Sequence, residues 1–471
     1  MRRLAVVAAV VALLGVLLVL MIRRDDGQAT VPDQPASAPP APVRTSPPLP
    51  AAPADQQGFL YGRITRTDGT VVEGRLRFGG SEEAFWNDWF NGTKAGNPWA
   101  ARVPREQLEE RRMIRLFGIE FPFGTRRRDL DRPFMSRFGD IARIEAGART
   151  IRVTRRSGTV IALDRFGADD LADGVRVWIP GQDTVDIGEW SIRSIEFEPT
   201  RQLDAAPQRL RGTVRTHAGT FSGFVQWNRS QRVGSDELRG RTAAGGQRTI
   251  RFDAIHSIER VGDDASRVTL HDGSEIVLAG ARDVGEGHRG VSVDDERYGR
   301  VLVSWDTFER IDFAPAADSG PGYDDFPPGR PLAGSVTTRD GRRLAGRLVF
   351  DLDESETTDT LDAPSGGVQF TIPFALVASI VLPEDDEDAS TFVRVMLHSG
   401  EALGLERRGD LGEANAGLLV FPGEGQEPTY VPWQELARLD LDRPPATTAA
   451  YRSEYRAKLL KTSIRRTGPW P

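Results

Sequence analysis

The one nucleotide-like signature in the chain is Gly285-Glu-Gly287-His-Arg-Gly290, a literal G-x-G-x-x-G. Such glycines cradle a pyrophosphate when a strand precedes them and a helix follows, because the phosphate rests on the helix N-terminus. Here Val291-Ser-Val293 and further strand-like alternation follow instead. The matching loop Gly412-Glu-Ala-Asn-Ala-Gly417 keeps only the outer glycines. The segment therefore reads as a turn-rich loop, and no cofactor is expected. The five histidines, His217, His256, His271, His288 and His398, show no H-x-x-x-H or similar metal-ligand spacing. His271 and His398 sit two residues before Gly273 and Gly400, where the first copy of the pattern described below has Arg156 before Gly158. A recurring polar residue beside a turn reads as an exposed hairpin position. No G-x-S-x-G elbow or Ser/His/Asp set occurs, and no catalytic residue and no metal site are expected.

Two acidic runs, Asp351-Leu-Asp-Glu-Ser-Glu356 and Glu384-Asp-Asp-Glu-Asp388, lack the fixed Gly and closing Glu of a calcium loop. They read as solvated surface loops. The absence of Cys excludes thiol nucleophiles, disulfide scaffolds and Cys-ligated zinc. With 61 basic and 68 acidic residues the net charge is −7, which argues against nucleic acid as a partner.

The residue types that remain suited to recognition are aromatic. Ser81-Glu-Glu-Ala-Phe-Trp-Asn-Asp-Trp-Phe-Asn-Gly92 predicts a short helix capped by Ser81, with Glu82 and Glu83 at its positive end and Gly92 ending it. At helical spacing Phe85 stacks on Trp89 and Trp86 on Phe90, and Trp99 follows nearby. These five residues form the candidate contact surface. They either plug the open end of a barrel or present a platform to a protein partner or a glycan. A glycan-binding site would show exposed, coplanar Trp86, Trp89 and Trp99, and a glycan-modifying enzyme would add a carboxylate pair within about 10 Å. Pro104 to Phe117 predicts a second helix with Pro in its first turn. Arg126, Arg127, Arg128 and Arg132 form a basic loop beside Asp129 and Asp131.

The elements that must position these residues repeat along the chain. Gly62…Gly69, Gly74 and Phe78 recur as Gly212…Gly219, Gly223 and Trp227, and again as Gly334…Gly341, Gly346 and Phe350. A second register matches Phe138, Ile141 and Ile144 with Phe252, Ile255 and Ile258, and with Phe374, Val377 and Ile380. A third matches Val153…Gly158, Val268…Gly273 and Val395…Gly400. The closing strands carry Ile192, Ile195 and Phe197; Phe308, Ile311 and Phe313; and Leu436, Leu439 and Leu441. Apolar alternation around turn glycines is a hairpin signal. The 49 Gly and 31 Pro suit many short strands and turns. The expected fold is all-β: three tandem copies at 58–198, 209–313 and 331–442, each holding two halves of roughly 50 residues, too small to be stable alone. An insertion at 81–137 is expected in the first copy. Pro199 to Gln208 and Ala314 to Pro331 read as linkers between domains.

The strand pairs Thr67-Asp68-Gly69…Gly74-Arg75-Leu76 and Arg339-Asp340-Gly341…Gly346-Arg347-Leu348 resemble those that open SH3-like or Sm-like small β-barrels. That resemblance implies a fold used for peptide, nucleic-acid or subunit binding, and implies no catalytic residue. A six-bladed propeller is the alternative, with barrels favoured by the long loops of the second register.

Leu4 to Ile22 holds no charge and is long enough, at about 28 Å as a helix, to cross a bilayer once. The run ends in bulky residues and Arg23-Arg24 without a cleavage-like pattern, so residues 1–26 read as an uncleaved anchor. Residues 27–57 form a Pro/Ala-rich spacer. Residues 443–471, with Tyr451, Tyr455 and Leu459 at helical spacing, form a basic tail, helical or disordered. Together these features predict a single-pass inner-membrane protein of the bacterial envelope, its body facing the periplasm or cell exterior. Its expected role is to hold a protein partner without catalysis, at sheet edges and inter-domain grooves.

Overall fold

The computed structural model describes residues 52–444 except 54, 80, 117–118, 128–129, 131–132, 205, 317, 385–391 and 424. The expected anchor, most of the spacer, the basic tail, the core of the run Glu384–Asp388, and Arg128 and Arg132 lie outside the described residues. No helix among the described residues is long and apolar enough to cross a membrane.

The turns follow the local chemistry. Asp68 accepts hydrogen bonds from the Thr70 backbone N–H at 2.9 Å and its hydroxyl at 2.7 Å, and Gly69 takes φ +86°. Gly158, Gly273, Gly341 and Gly400 adopt φ between +83° and +93° at the matching tips, a region that favours glycine. The other recurring glycines have a different cause. A Cβ on Gly74, Gly223 or Gly346 would sit 2.2, 1.9 or 2.0 Å from a carbonyl oxygen of the neighbouring strand, so close strand approach requires glycine there.

The chain is all-β, with its strands in several sheets. Residues 58–198 supply Tyr61–Arg66, Val71–Phe78, Trp89–Thr93, Pro133–Arg137, Ile141–Ala146, Thr150–Arg155, Val160–Asp164, Val175–Trp178, Val185–Ile187 and Ile192–Phe197. An extra hairpin, Glu109–Leu116 with Ile119–Arg127, stands between the third and fourth of these ten strands. Residues 209–313 supply ten strands from Arg211–Thr216 to Phe308–Ala314, and residues 331–442 ten from Ala333–Thr338 to Leu436–Leu441. In all three stretches the pairing order is ninth, eighth, second, first, tenth, fifth, sixth, seventh. The third strand lies beside the seventh, through Lys94 and Leu163, Arg241 and Ala279, and Ser365 and Gly404.

This order interleaves the two sequence halves of each stretch. The first hairpin of each stretch is completed by the eighth, ninth and tenth strands, and the second hairpin by the third, fourth and fifth. The late strands of the two halves are thus exchanged. Sheets of eight and twelve strands also replace the separate four-stranded blades that a propeller needs.

One apolar row crosses each sheet. Ile64 pairs with Ile195, Ile195 with Ile144, and Ile144 with Val153. The corresponding rows are Val214, Ile311, Ile258, Val268 and Val336, Leu439, Ile380, Val395. All twelve side chains are buried. The second and third stretches share one apolar core, whereas the first has its own. The segment 314–331 is more than a spacer, because its Tyr323 and Phe326 bury themselves in the core of the first stretch. Tyr323 donates its hydroxyl to the Ile141 carbonyl at 3.1 Å.

Candidate interaction surface

The aromatic segment of the first stretch folds differently from the predicted helix. Asp88 Oδ2 accepts the backbone N–H of Glu83 at 2.7 Å and of Ala84 at 2.9 Å, a local bond that competes with helical pairing. Residues 81–88 therefore form a loop, and Trp89–Thr93 is a strand paired with Pro133–Arg137. The two strands take the third and fourth places in chain order, and the hairpin Glu109–Leu116 with Ile119–Arg127 lies between them. Pro104 to Phe117 is likewise not a helix: a 3-10 turn at Arg105–Leu108 leads into the strand Glu109–Leu116.

Without helical spacing the five candidate aromatics separate. Phe85, Trp89 and Phe90 are buried. Phe85 packs 5.1 Å from Tyr323, and Phe90 6.0 Å from Phe138. Trp86 is half-buried beneath Phe326 and Arg137. Trp99 belongs to a different cluster, against Phe421 and Arg347. They present no common face, and the coplanar tryptophans of a glycan platform are not formed.

The polar residues of this loop instead build a seam with the second stretch. Asp88 Oδ1 accepts from Gln226 at 2.6 Å and faces Arg232 Nε at 3.3 Å. Arg232 also reaches Ser81 at 2.7 Å and Glu82 at 3.1 Å. Arg209 donates to Asn87 and to the Ser319 carbonyl and stacks on Phe224 at 4.0 Å. Burial pulls the Arg209 guanidinium down to about 10, against the attraction of Asp88. Burial likewise raises Asp294, on the facing strand, well above the usual carboxylate range.

A second seam joins the first and third stretches. Asp351–Glu356, expected as a solvated loop, is partly buried there because the first stretch brings cations to it. Lys94 pairs with Asp353, and Arg155 reaches Glu356 at 3.4 Å and Asp359 at 2.5 Å. Although burial opposes it, Arg155 holds the Asp359 carboxyl below its ordinary value. Asp88, Asp236 and Asp359 play one role, each accepting two backbone N–H groups from the loop before it. They follow the matched aromatics Phe78, Trp227 and Phe350 by ten, nine and nine residues, a spacing visible in the sequence.

The exposed apolar surface lies elsewhere. Phe166 is 76% exposed and Trp190 58%. They project from two 3-10 turns, Arg165–Gly167 and Glu189–Ser191. Arg165 joins the turns: it stacks on the Trp190 ring at 4.0 Å and donates to the Glu189 carbonyl at 3.1 Å and the Gly147 carbonyl at 2.5 Å. At the matching turns Trp305 and Trp433 are only 5% and 3% exposed. Those tryptophans stand three residues before the tenth strand, and Trp190 stands two before it. One step along a 3-10 turn, about 120°, converts a core side chain into a surface one. The same offset in the sequence was the signal for Trp190.

The remaining motifs are structural. The G-x-G-x-x-G loop leads into the strand Val291–Asp295, and Gly290 has φ +93°. His288 packs between Trp227 and Trp305, with ring centroids 4.6 and 4.5 Å away. Its Nδ1 accepts the Gly290 N–H at 3.0 Å. The backbone N–H groups of Arg156, His271 and His398 bond the 3-10 turn before the fifth strand, at Asp140, Ala254 and Leu376, while of the three side chains only His271 is exposed and Arg156 is buried. Among the described residues no three His, Asp or Glu groups stand together as metal ligands. Compared with known proteins, the chain matches no family, no characterised sequence and no solved structure.

Proposed function

We propose that this chain is a membrane-tethered, non-enzymatic scaffold of the bacterial envelope that holds a protein partner at the Phe166–Trp190 end of its first stretch. In this reading residues 4–22 anchor it in the inner membrane, the spacer lifts the body, and the body faces the periplasm or exterior. The body is read as three tandem copies of a pair of SH3-like small-barrel modules. The shared ten-strand order and the matched apolar rows support that reading.

The observation that carries the functional reading is the contrast between Trp190 and the buried Trp305 and Trp433. A tryptophan displaced from the core and propped by a buried arginine whose chain neighbour is an exposed Phe costs solubility unless a partner covers it. Trp190 lies at the opposite end of the tenth strand from the start of the described chain. Ala52, the first described residue, bonds the Thr200 carbonyl just beyond the tenth strand, whereas Thr67 bonds the Ser191 carbonyl at that strand's other end. The two ends are separated by a six-residue strand, about 20 Å. The seams support rigidity, since they lock all three stretches into a fixed platform.

Site-specific photo-crosslinking in intact cells tests this. A photoreactive side chain at 166 should trap one protein, and Trp190→Ser in that same chain should weaken the adduct while leaving the melting temperature unchanged. Adducts no more abundant than those from exposed Val277 overturn the proposal.

A further inference from the structure

Inside the chain two stretches are joined edge to edge. The ninth strand of the second stretch, Gly299–Val303, pairs with the fourth of the third, Val368–Pro373, aligning Arg300 with Thr371, Val301 with Phe370 and Leu302 with Gln369. The equivalent edges of the preceding pair of stretches do not meet. Val185–Ile187 ends one sheet and Gln247–Arg251 ends another, and neither has a second strand beside it among the described residues. An unpaired edge exposes a row of backbone donors and acceptors that another strand can take up.

We infer that these two edges pair between molecules, Val185–Ile187 of one copy of this chain with Gln247–Arg251 of another, so that the protein self-associates head to tail. The pairing inside the chain supplies the geometry. Val303 and Ile187 each stand five residues before the tenth strand, and Thr371 and Thr249 each stand three before the 3-10 turn that follows. The internal register therefore transfers as Thr184 opposite Thr249, Val185 opposite Arg248 and Asp186 opposite Gln247. Charge agrees in that register: Asp183, two residues from Val185, lies diagonally across from Arg248 on the same face, and both positions are exposed. Opposite charges across strands favour pairing, and like charges oppose it. Other edges of both kinds are blunted by proline, since Pro428 and Pro432 bracket Thr429–Val431 and Pro133 opens Pro133–Arg137. Because each molecule offers two different edges, the association is heterologous and produces chains or a closed ring. Tethering to one membrane would strengthen it by raising the local concentration. The inference stands apart from the role given to Phe166 and Trp190.

The chain has no Cys, so single cysteines report cleanly. Full-length Val185→Cys and Arg248→Cys chains, mixed in detergent with a short bismaleimide, should give a crosslinked dimer at least ten-fold more abundant than either gives with Ser274→Cys on an exposed turn. Sedimentation of the cysteine-free chain should show concentration-dependent association. Arg248→Glu should weaken it, and adding Asp183→Lys in the same chain should restore it. Crosslinking no greater than the Ser274→Cys control, or a chain monomeric at every concentration, overturns the inference. Association that Arg248→Glu leaves unchanged overturns it as well.

Discussion

Removing the Asp88 carboxylate tests whether the seam between the first and second stretches contributes to stability. The group has four partners: two loop N–H groups at 2.7 and 2.9 Å, the Gln226 amide at 2.6 Å and Arg232 at 3.3 Å. In Asp88→Ala the two N–H groups and the amide lose their acceptor, and Arg232 keeps only the carboxylates of Glu82 and Glu83 as counter-charges. Breaking a buried pair from one side costs about 3–5 kcal/mol, and that range already includes desolvation of the groups left behind. Asp88→Asn preserves shape and can still accept from the loop. Gln226 Oε1, which has no partner, can turn to take the new amide hydrogens, so about 1–3 kcal/mol is expected. Asp236→Ala is the local control, because Asp236 accepts two N–H groups at 2.7 and 3.1 Å from its own loop. It should cost about 1–2 kcal/mol. Urea unfolding of the full chain, followed by tryptophan fluorescence, reads all three. If Asp88→Ala costs no more than Asp236→Ala, the seam contributes nothing and the rigid-platform argument fails.

Other outcomes follow from the same contacts. Arg155→Met should cost about 3–5 kcal/mol through the unpaired Asp359 and Glu356, and should expose the seam between the first and third stretches to hydrogen exchange. His288, held down to about 3 chiefly by burial, is neutral in the fold, whereas an unfolded histidine titrates near 6.5. The unfolded chain therefore binds more protons between those values. The stability that the neutral ring supports is complete above about 6.5 and is lost at about 1.4 kcal/mol per pH unit as pH falls toward 3. His288→Phe should flatten the pH dependence of urea unfolding between pH 6.5 and 4.5 by about 2–3 kcal/mol, and an unchanged slope contradicts the burial argument. Gly223→Ala, with a backbone oxygen 1.9 Å from the new methyl, should lower the melting temperature far more than Ala in place of Gly188, which has open space around it and a negative φ.

The sequence by itself determined the short-range features. Hairpins close where Asp68, Gly69, Gly158, Gly341 and Gly400 supply turn chemistry over a few residues. The apolar residues at matched spacings, from Ile64 to Leu439, all reach the core because strand alternation is a two-residue property. Only the tertiary structure decided which hairpin each late group of strands completes. Either partner offers the same apolar row, and the choice depends on contacts distant in sequence. It also turned residues 81–92 from an expected helix into loop and strand. Helical spacing counts side chains on one face, whereas Asp88 acts on the backbone and is held by Gln226 and Arg232 of another stretch. The acidic loop expected to be solvated is partly buried for that reason, and the linker 314–331 docks on the first stretch for the same one: Lys94, Arg155, Tyr323 and Phe326 find their partners across the fold. Trp190 lies between the two cases. Its one-residue offset from Trp305 and Trp433 is written in the chain, but burial depends on which way a turn faces, and that direction is set by the strands packed around it.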